Sequence, residues 1–284
     1  MPKPFTVRGW LPYPSPEAAV STVTLPTPRA RRILATRVDA TSYGDACDRI
    51  AAWVQQAESC YVVAANVHVV MTAQWDPAYR QVLAGADLVT PDGMPLVWGL
   101  RALGIADQSR VYGPDLMLAW CQRATAGGIP LYLYGGTDPV LERLRQRLTT
   151  QFPGLVIAGS YAPPFRPLTP AEEAADRDRI QQSGAKVVFV GLGCPKQEFW
   201  MARQRGSLPA VMVGVGAAFD FHSGTVAQAP RWMMALGLEW LYRFCQEPRR
   251  LWRRYCINNP AFVVLFGYQW LRDRGFRRSS DPDH

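Results

Sequence analysis

The sequence is short of the residues that gather around metals and of the runs that cross membranes. Its three histidines, His68, His222 and His284, are scattered, and its six cysteines, at 47, 60, 121, 194, 245 and 256, form no C-x-x-C pair. These spacings argue against a thiolate zinc site and a disulfide framework, and fit a reducing compartment. No stretch reaches the roughly 18 consecutive apolar residues of a spanning helix. The opening MPKPFTVRGWLPYPSPEAAV lacks the apolar centre of a secretory signal, so a cytoplasmic location is expected. Neither G-x-x-x-x-G-K-[ST] nor G-x-G-x-x-G occurs, which disfavours an ATPase and a dinucleotide fingerprint.

What is present is the composition of a folded domain with surplus positive charge. Of 284 residues, 48% are hydrophobic and 19% charged, and Lys plus Arg outnumber Asp plus Glu by 31 to 23, a net +8. Such a balance favours an anionic partner: nucleic acid, a membrane surface or a phosphate-bearing ligand. The first 30 residues hold seven prolines, and residues 1–32 read as a flexible tail. From residue 33 short β-rich runs recur: RILATRV, CYVVAAN, ADLVT, PLYLYGG, LVIAGS, KVVFVG and PAVMVGVG. Helix-like segments such as GDACDRIAAWVQQA, PDLMLAWCQRATA, PVLERLRQRLTTQF and AEEAADRDRIQQS lie between them. Strands alternating with helices predict an α/β core, residues 33–230, with a mainly parallel sheet covered on both faces. Asp138-Pro139 and Thr169-Pro170 read as an N-cap followed by a first-turn proline.

Residues 231–284 differ in character. They show no strand pattern, and nine arginines against two acids lie between 240 and 278, among aromatics. A basic, aromatic-rich helical appendage is the expectation. Its later part, NNPAFVVLFGYQWLRDRGFRR, suits an interfacial membrane contact, and a solvated face of a packed helix is the plainer reading. Nucleic acid is disfavoured, because the basic residues accompany bulky aliphatics and no binding motif occurs.

Four predicted strand ends carry polar or glycine clusters, the place where parallel sheets bind ligands. Gly135 and Gly136 in LYLYGGTDP, and Gly191 and Gly193 in GLGCPKQE, would let backbone N–H groups approach a diphosphate; each is also an ordinary tight turn. Asp92 in TPDG is either a turn residue or a general base for a hydroxyl nucleophile. Asn66 either orients a sugar hydroxyl or ends its strand. Arg110 either binds an anion or is solvated. Asp220 either accepts from a nucleoside or caps the next segment. Arg243, Arg250 and Arg253, spaced by seven and three, share one helical face if the helix continues past Pro248.

Taken in order, AANVH, ADLVTPDG, RVYGPDLM, LYLYGG, VGLGCPKQEFW, VGVGAAFDFHSG and GLEWLYRFCQEPRRLWRR resemble the WecG/TagA/CpsF family of bacterial glycosyltransferases. The resemblance spans about residues 33–255. It implies a Rossmann-like core, and inverting transfer of a hexose (N-acetylmannosamine, its uronic acid or glucose) from a UDP-sugar donor to a sugar on undecaprenyl diphosphate. It implies no metal and no cofactor, and a peripheral position on the inner face of the cytoplasmic membrane through residues 240–278. Asp92 then matches the catalytic base, Asn66 and Arg110 its supports, Gln197 a substrate contact, and Arg243, Arg250 and Arg253 the arginines that meet the UDP diphosphate. Two positions depart from the family pattern: Ala64 stands where many relatives have Thr, and Gln228-Ala229-Pro230 where many have Arg-Ala-Pro. A soluble sugar-nucleotide-modifying enzyme and a non-enzymatic membrane scaffold are the alternatives, and a homo-oligomer is left open.

Overall fold

The computed structural model describes residues 25–279. The chain enters through an antiparallel hairpin, β1 (Ala30–Ile33) and β2 (Thr36–Asp39). Next come α1 (Tyr43–Gln55), β3 (Tyr61–Ala65), α2 (Val67–Trp75), α3 (Pro77–Ala84), β4 (Leu88–Pro91), α4 (Met94–Ala102) and α5 (Gly113–Gly127). The alternation continues with β5 (Leu131–Gly135), α6 (Asp138–Gln151), β6 (Ile157–Tyr161), α7 (Pro170–Gln182), β7 (Val187–Gly191), α8 (Lys196–Gln204), β8 (Val211–Gly214) and α9 (Ala218–Ser223). Four helices follow: α10 (Arg231–Ala235), α11 (Glu239–Gln246), α12 (Pro248–Cys256) and α13 (Asn258–Ser279).

Strands β3 to β8 form one six-stranded sheet in the order β4-β3-β8-β7-β5-β6, with every neighbouring pair parallel. The fold is the expected Rossmann-like α/β class. The inner strands β3, β5, β7 and β8 are apolar runs because each buries both faces, whereas the edge strand β6 (Ile157–Tyr161) is only partly buried. On β5, Tyr132 and Tyr134 point into one layer and Leu131 and Leu133 into the other; on β7, Val188 and Val190 oppose Val187 and Phe189. The Trp200 indole of α8 stacks on Tyr134 at 4.3 Å between centroids. Each large side chain buried this way contributes about 1.5–3 kcal/mol.

Three local expectations are corrected. RILATRV is not one strand: Leu34 adopts φ +53 and the chain reverses into the hairpin. That turn is held from the far end of the chain, where Gln269 of α13 accepts from Leu34 N at 2.8 Å and donates to Arg32 O at 2.8 Å. Strand β1 also takes up residues 30–32 of the expected tail, whose first 24 residues lie outside the described residues. The N-cap of α6 is Thr137, not Asp138, and its side chain makes no capping bond. Thr169 does cap α7, in a reciprocal box with Glu172.

Strands β5 and β7 come so close at their carboxyl ends that only glycine fits. Gly135 has φ +123, and a Cβ there would stand 2.6 Å from the carbonyl carbon of Gly191. Gly135→Ala is therefore expected to destabilise the fold by about 2–4 kcal/mol through strain and overpacking. Urea unfolding checks this; a midpoint equal to that of the unaltered chain would contradict the close approach.

Candidate active site

Beyond the carboxyl ends of β3, β4, β5, β7 and β8 lies a cleft of about 1840 Å³, roofed by α11 to α13. Eleven of the twelve residues singled out in the sequence line it: Asn66, Asp92, Arg110, Gly136, Gly191, Gly193, Gln197, Asp220, Arg243, Arg250 and Arg253. Gly135 does not; its role is the strand contact described above.

Asp92 follows β4 directly and is 8% exposed. Its backbone N–H donates to Ala65 O at 2.8 Å, which fixes the turn against β3. Oδ1 accepts from Gly113 N, the first residue of α5, at 2.6 Å, so the carboxylate caps a 15-residue helix. Oδ2 lies 3.5 Å from Asn66 Nδ2. The Asn66 amide has one available orientation, because its Oδ1 caps α2 by accepting from His68 N and Val69 N. Burial is the largest influence on Asp92 and lifts its pKa to about 6, opposed by the Arg110 charge and reinforced by that of Glu239. A carboxylate poised there is ionised at neutral pH yet more basic than an ordinary aspartate, as a general base should be.

Arg110 is not solvated. Its Nε donates to the carbonyl of Asp92, and its Nη2 pairs with Glu239 of α11 at 2.6 Å, both side chains being largely buried. Glu239 also accepts from Tyr112 Oη at 2.8 Å. Arg110 therefore braces Asp92 and ties down the roof, with its charge already committed. Gln197 is committed too: Oε1 accepts from Gly216 N at 3.1 Å and Nε2 donates to the buried Glu198 at 2.8 Å. Its amide holds the β8 loop to α8 while the side chain also lines the cleft.

The arginines of the roof do not share one helical face. Glu247, with φ −134 and ψ 58, breaks the chain between α11 and α12, so Arg243 sits on one helix and Arg250 and Arg253 on the next. They still reach the same cleft, because α12 folds back against α11. Arg243 lies over the Phe221 ring at 5.5 Å, and Arg250 pairs with Glu247 on an exposed edge. Both favour the ionised form of Asp220, whose pKa burial raises. The Asp220 carbonyl, not its carboxylate, accepts from Thr225 N and Val226 N after α9. Opposite them, α6 begins beside Gly136 with no side-chain cap, leaving its first N–H groups facing the cleft.

Three residues that sequence reasoning passed over also belong here. Glu239 lay inside the quoted GLEWLYRF; His68 was counted only against a metal cluster; Arg254 stood unremarked beside Arg253. Nothing in a single sequence distinguishes Arg254 from its neighbours, since its burial depends on the break at Glu247. Among the described residues no group of three or more His, Cys, Asp or Glu stands close enough to hold a metal ion. The triplet Asp176-Arg177-Asp178 does spell the D-x-D pattern linked to metal-dependent sugar transfer, but it lies in α7, outside the cleft. There Asp176 accepts from Tyr134 Oη at 2.6 Å and from Arg179 at 2.8 Å.

Comparison with known proteins agrees with this arrangement. The model of the glycosyl transferase WecG/TagA/CpsF family matches residues 31–275. A relative from Bacillus spizizenii, an N-acetylglucosaminyldiphosphoundecaprenol N-acetyl-beta-D-mannosaminyltransferase, is 36% identical over 213 residues, covering 75% of this chain and 80% of that protein.

Asn66→Asp keeps the cap on α2 but sets a second carboxylate beside Asp92. Like charges disfavour joint ionisation, so the acidic limb of the pH–rate profile should move above its starting value near 6. An unmoved limb in kcat/KM would show that Asn66 and Asp92 are not coupled.

Proposed function

The chain belongs to the WecG/TagA/CpsF family of glycosyltransferases, and we propose that it moves a hexose, with inversion, from a UDP-sugar to a sugar carried on a polyprenyl diphosphate. The reading rests above all on Asp92: one carboxylate, raised to about 6, at a strand end inside a cleft whose opposite wall is lined with arginine. In this mechanism Asp92 takes the proton from the acceptor hydroxyl as the hydroxyl oxygen attacks the anomeric carbon. The bond to the UDP oxygen breaks on the far side, and the departing diphosphate collects negative charge. Arg243, Arg250 and Arg253, with the uncapped start of α6, are placed to stabilise that charge. Arg110 and Asn66 act on Asp92 itself.

A lipid-linked acceptor is favoured by the roof. Ten of the fourteen large apolar side chains that are exposed among the described residues fall between Trp232 and Leu271, including Trp252, Val264 and Tyr268. No described helix is long and apolar enough to cross a membrane. Exposed apolar groups beside Arg249, Arg250 and Arg253 suit contact with an anionic bilayer surface instead. The name of the Bacillus relative makes N-acetylmannosamine the first donor sugar to test and undecaprenyl-diphosphate-linked N-acetylglucosamine the first acceptor.

Asp92→Asn should lower kcat by roughly 10²-fold or more with little change in donor binding; full turnover in that variant would remove Asp92 from the mechanism. A panel of UDP-sugars against a short prenyl-diphosphate-linked acceptor, read by product mass, tests the reaction itself, and turnover of a UDP-sugar without acceptor would contradict it. The double variant Val264→Glu, Leu271→Glu should release the protein from phosphatidylglycerol vesicles in a flotation assay. Undiminished flotation would place the membrane contact elsewhere.

A further inference from the structure

Arg254 is the one cation in the cleft that the mechanism above leaves without a task. Its Nε is shut off from solvent and meets no hydrogen-bond acceptor, and its guanidinium forms no ion pair among the described residues. A guanidinium cannot shed its proton to escape burial, and an unpaired buried charge costs several kcal/mol. A cleft that retains such a group is built for an anion that arrives from outside.

Its surroundings separate it from the arginines assigned to the donor. Arg243 and Arg250 act on Asp220, beyond β8, whereas the charge of Arg254 is felt at His68 on α2 and Cys194 before α8. His68 is held neutral, its pKa brought down to about 3 by burial first and by Arg254 second. Its Nδ1 stands 3.2 Å from Asn258 Nδ2 at the start of α13. With that amide donating to Nδ1, the ring proton sits on Nε2, so His68 is a neutral hydrogen-bond donor lining the same stretch of cleft. The charges of Arg243 and Asp92 also act on Arg254, so its subsite belongs to the same cleft as the base and the donor arginines.

On the Arg254 side the wall turns apolar. Phe262 and Phe266 of α13 stack in parallel at 5.7 Å, and Trp98 of α4 and Trp270 of α13 line the cleft with them. Gly99 brings α13 close: a Cβ there would lie 3.3 Å from the Phe266 ring. At the outer end Val263 is 68% exposed.

We propose that Arg254, with His68, forms a second anion subsite that takes the diphosphate of the lipid-linked acceptor, while the lane along Phe262 and Phe266 leads its first isoprene units out past Val263. This rests on the polyprenyl-diphosphate acceptor proposed above. It assigns the two diphosphates of the reaction to different arginines, with the donor on Arg243, Arg250 and Arg253 and the acceptor on Arg254.

The test is calorimetric titration of the full chain with UDP, farnesyl diphosphate, dimethylallyl diphosphate and inorganic diphosphate. The unaltered protein should bind UDP and farnesyl diphosphate together, and farnesyl diphosphate more tightly than the two shorter probes. Arg254→Gln should weaken farnesyl diphosphate about tenfold or more while leaving UDP within about twofold. Loss of UDP affinity alone, equal loss of both, or loss of neither would overturn the subsite while leaving the acceptor reading standing. Failure of the unaltered protein to bind farnesyl diphosphate while it binds UDP would overturn the acceptor reading itself. Should Arg254→Gln not fold, Val263→Asp provides the second arm: it should weaken farnesyl but not dimethylallyl diphosphate, and equal affinities for the two prenyl probes in the unaltered protein would refute the lane.

Discussion

The site depends on a carboxylate kept out of water at the end of β4. Burial alone would leave Asp92 protonated and inert; full solvation would leave it a weak base. Burial raises its pKa most, the Arg110 charge opposes that rise and the Glu239 charge adds to it, and the same guanidinium that pairs with Glu239 also bonds the Asp92 backbone. Breaking such a buried pair from one side typically costs about 3–5 kcal/mol. Asp92 and the roof are therefore linked through Arg110: displacing α11 would break the ion pair that braces Asp92.

The rest of the charge distribution suits the diphosphate leaving group of the proposed reaction. Positive charge would have to face the departing oxygen, and guanidinium groups line the cleft that would hold it. The helices that carry them also carry exposed tryptophans and aliphatics, which in the proposed function would set the cation-rich wall against the bilayer that holds a lipid-linked substrate. The packed face of the same segment is anchored by Gln269 on the hairpin turn and by Phe262 in the core. Under the proposed function this one segment would serve as anion site and membrane contact, its cleft-lining arginines and its exposed apolar side chains lying on the same run of helices.

Much of this was legible in the sequence, and the gaps have physical reasons. The β runs from CYVVAAN to PAVMVGVG could be read because parallel strands buried on both faces are apolar without alternation, and glycines at their ends mark where the sheet stops. Asp92 and Asn66 were found because a strand end is a place and the chain order names it. The roles of Arg110 and Gln197 were not legible, since each is decided by partners 129 and 19 residues away, Glu239 and Gly216. The shared face expected of Arg243, Arg250 and Arg253 failed on one residue: Glu247 leaves the helical conformation just before Pro248, and with it the register of every later side chain. Arg254 owes its burial to that same break. The hairpin at Leu34 was missed because a left-handed leucine carries no signal in a β-rich run.

The central claim is that burial lifts the pKa of Asp92 to about 6 and that Glu239 of the roof adds to that rise. Carbon-13 NMR of the protein labelled at aspartate side-chain carboxyls measures this directly, with Asp92→Asn assigning the resonance. The account predicts a midpoint near 6 that falls in Glu239→Gln, where one raising charge is removed and Arg110 is freed to act on Asp92 alone. A midpoint near the ordinary aspartate value of about 3.9, or one indifferent to Glu239, would contradict it.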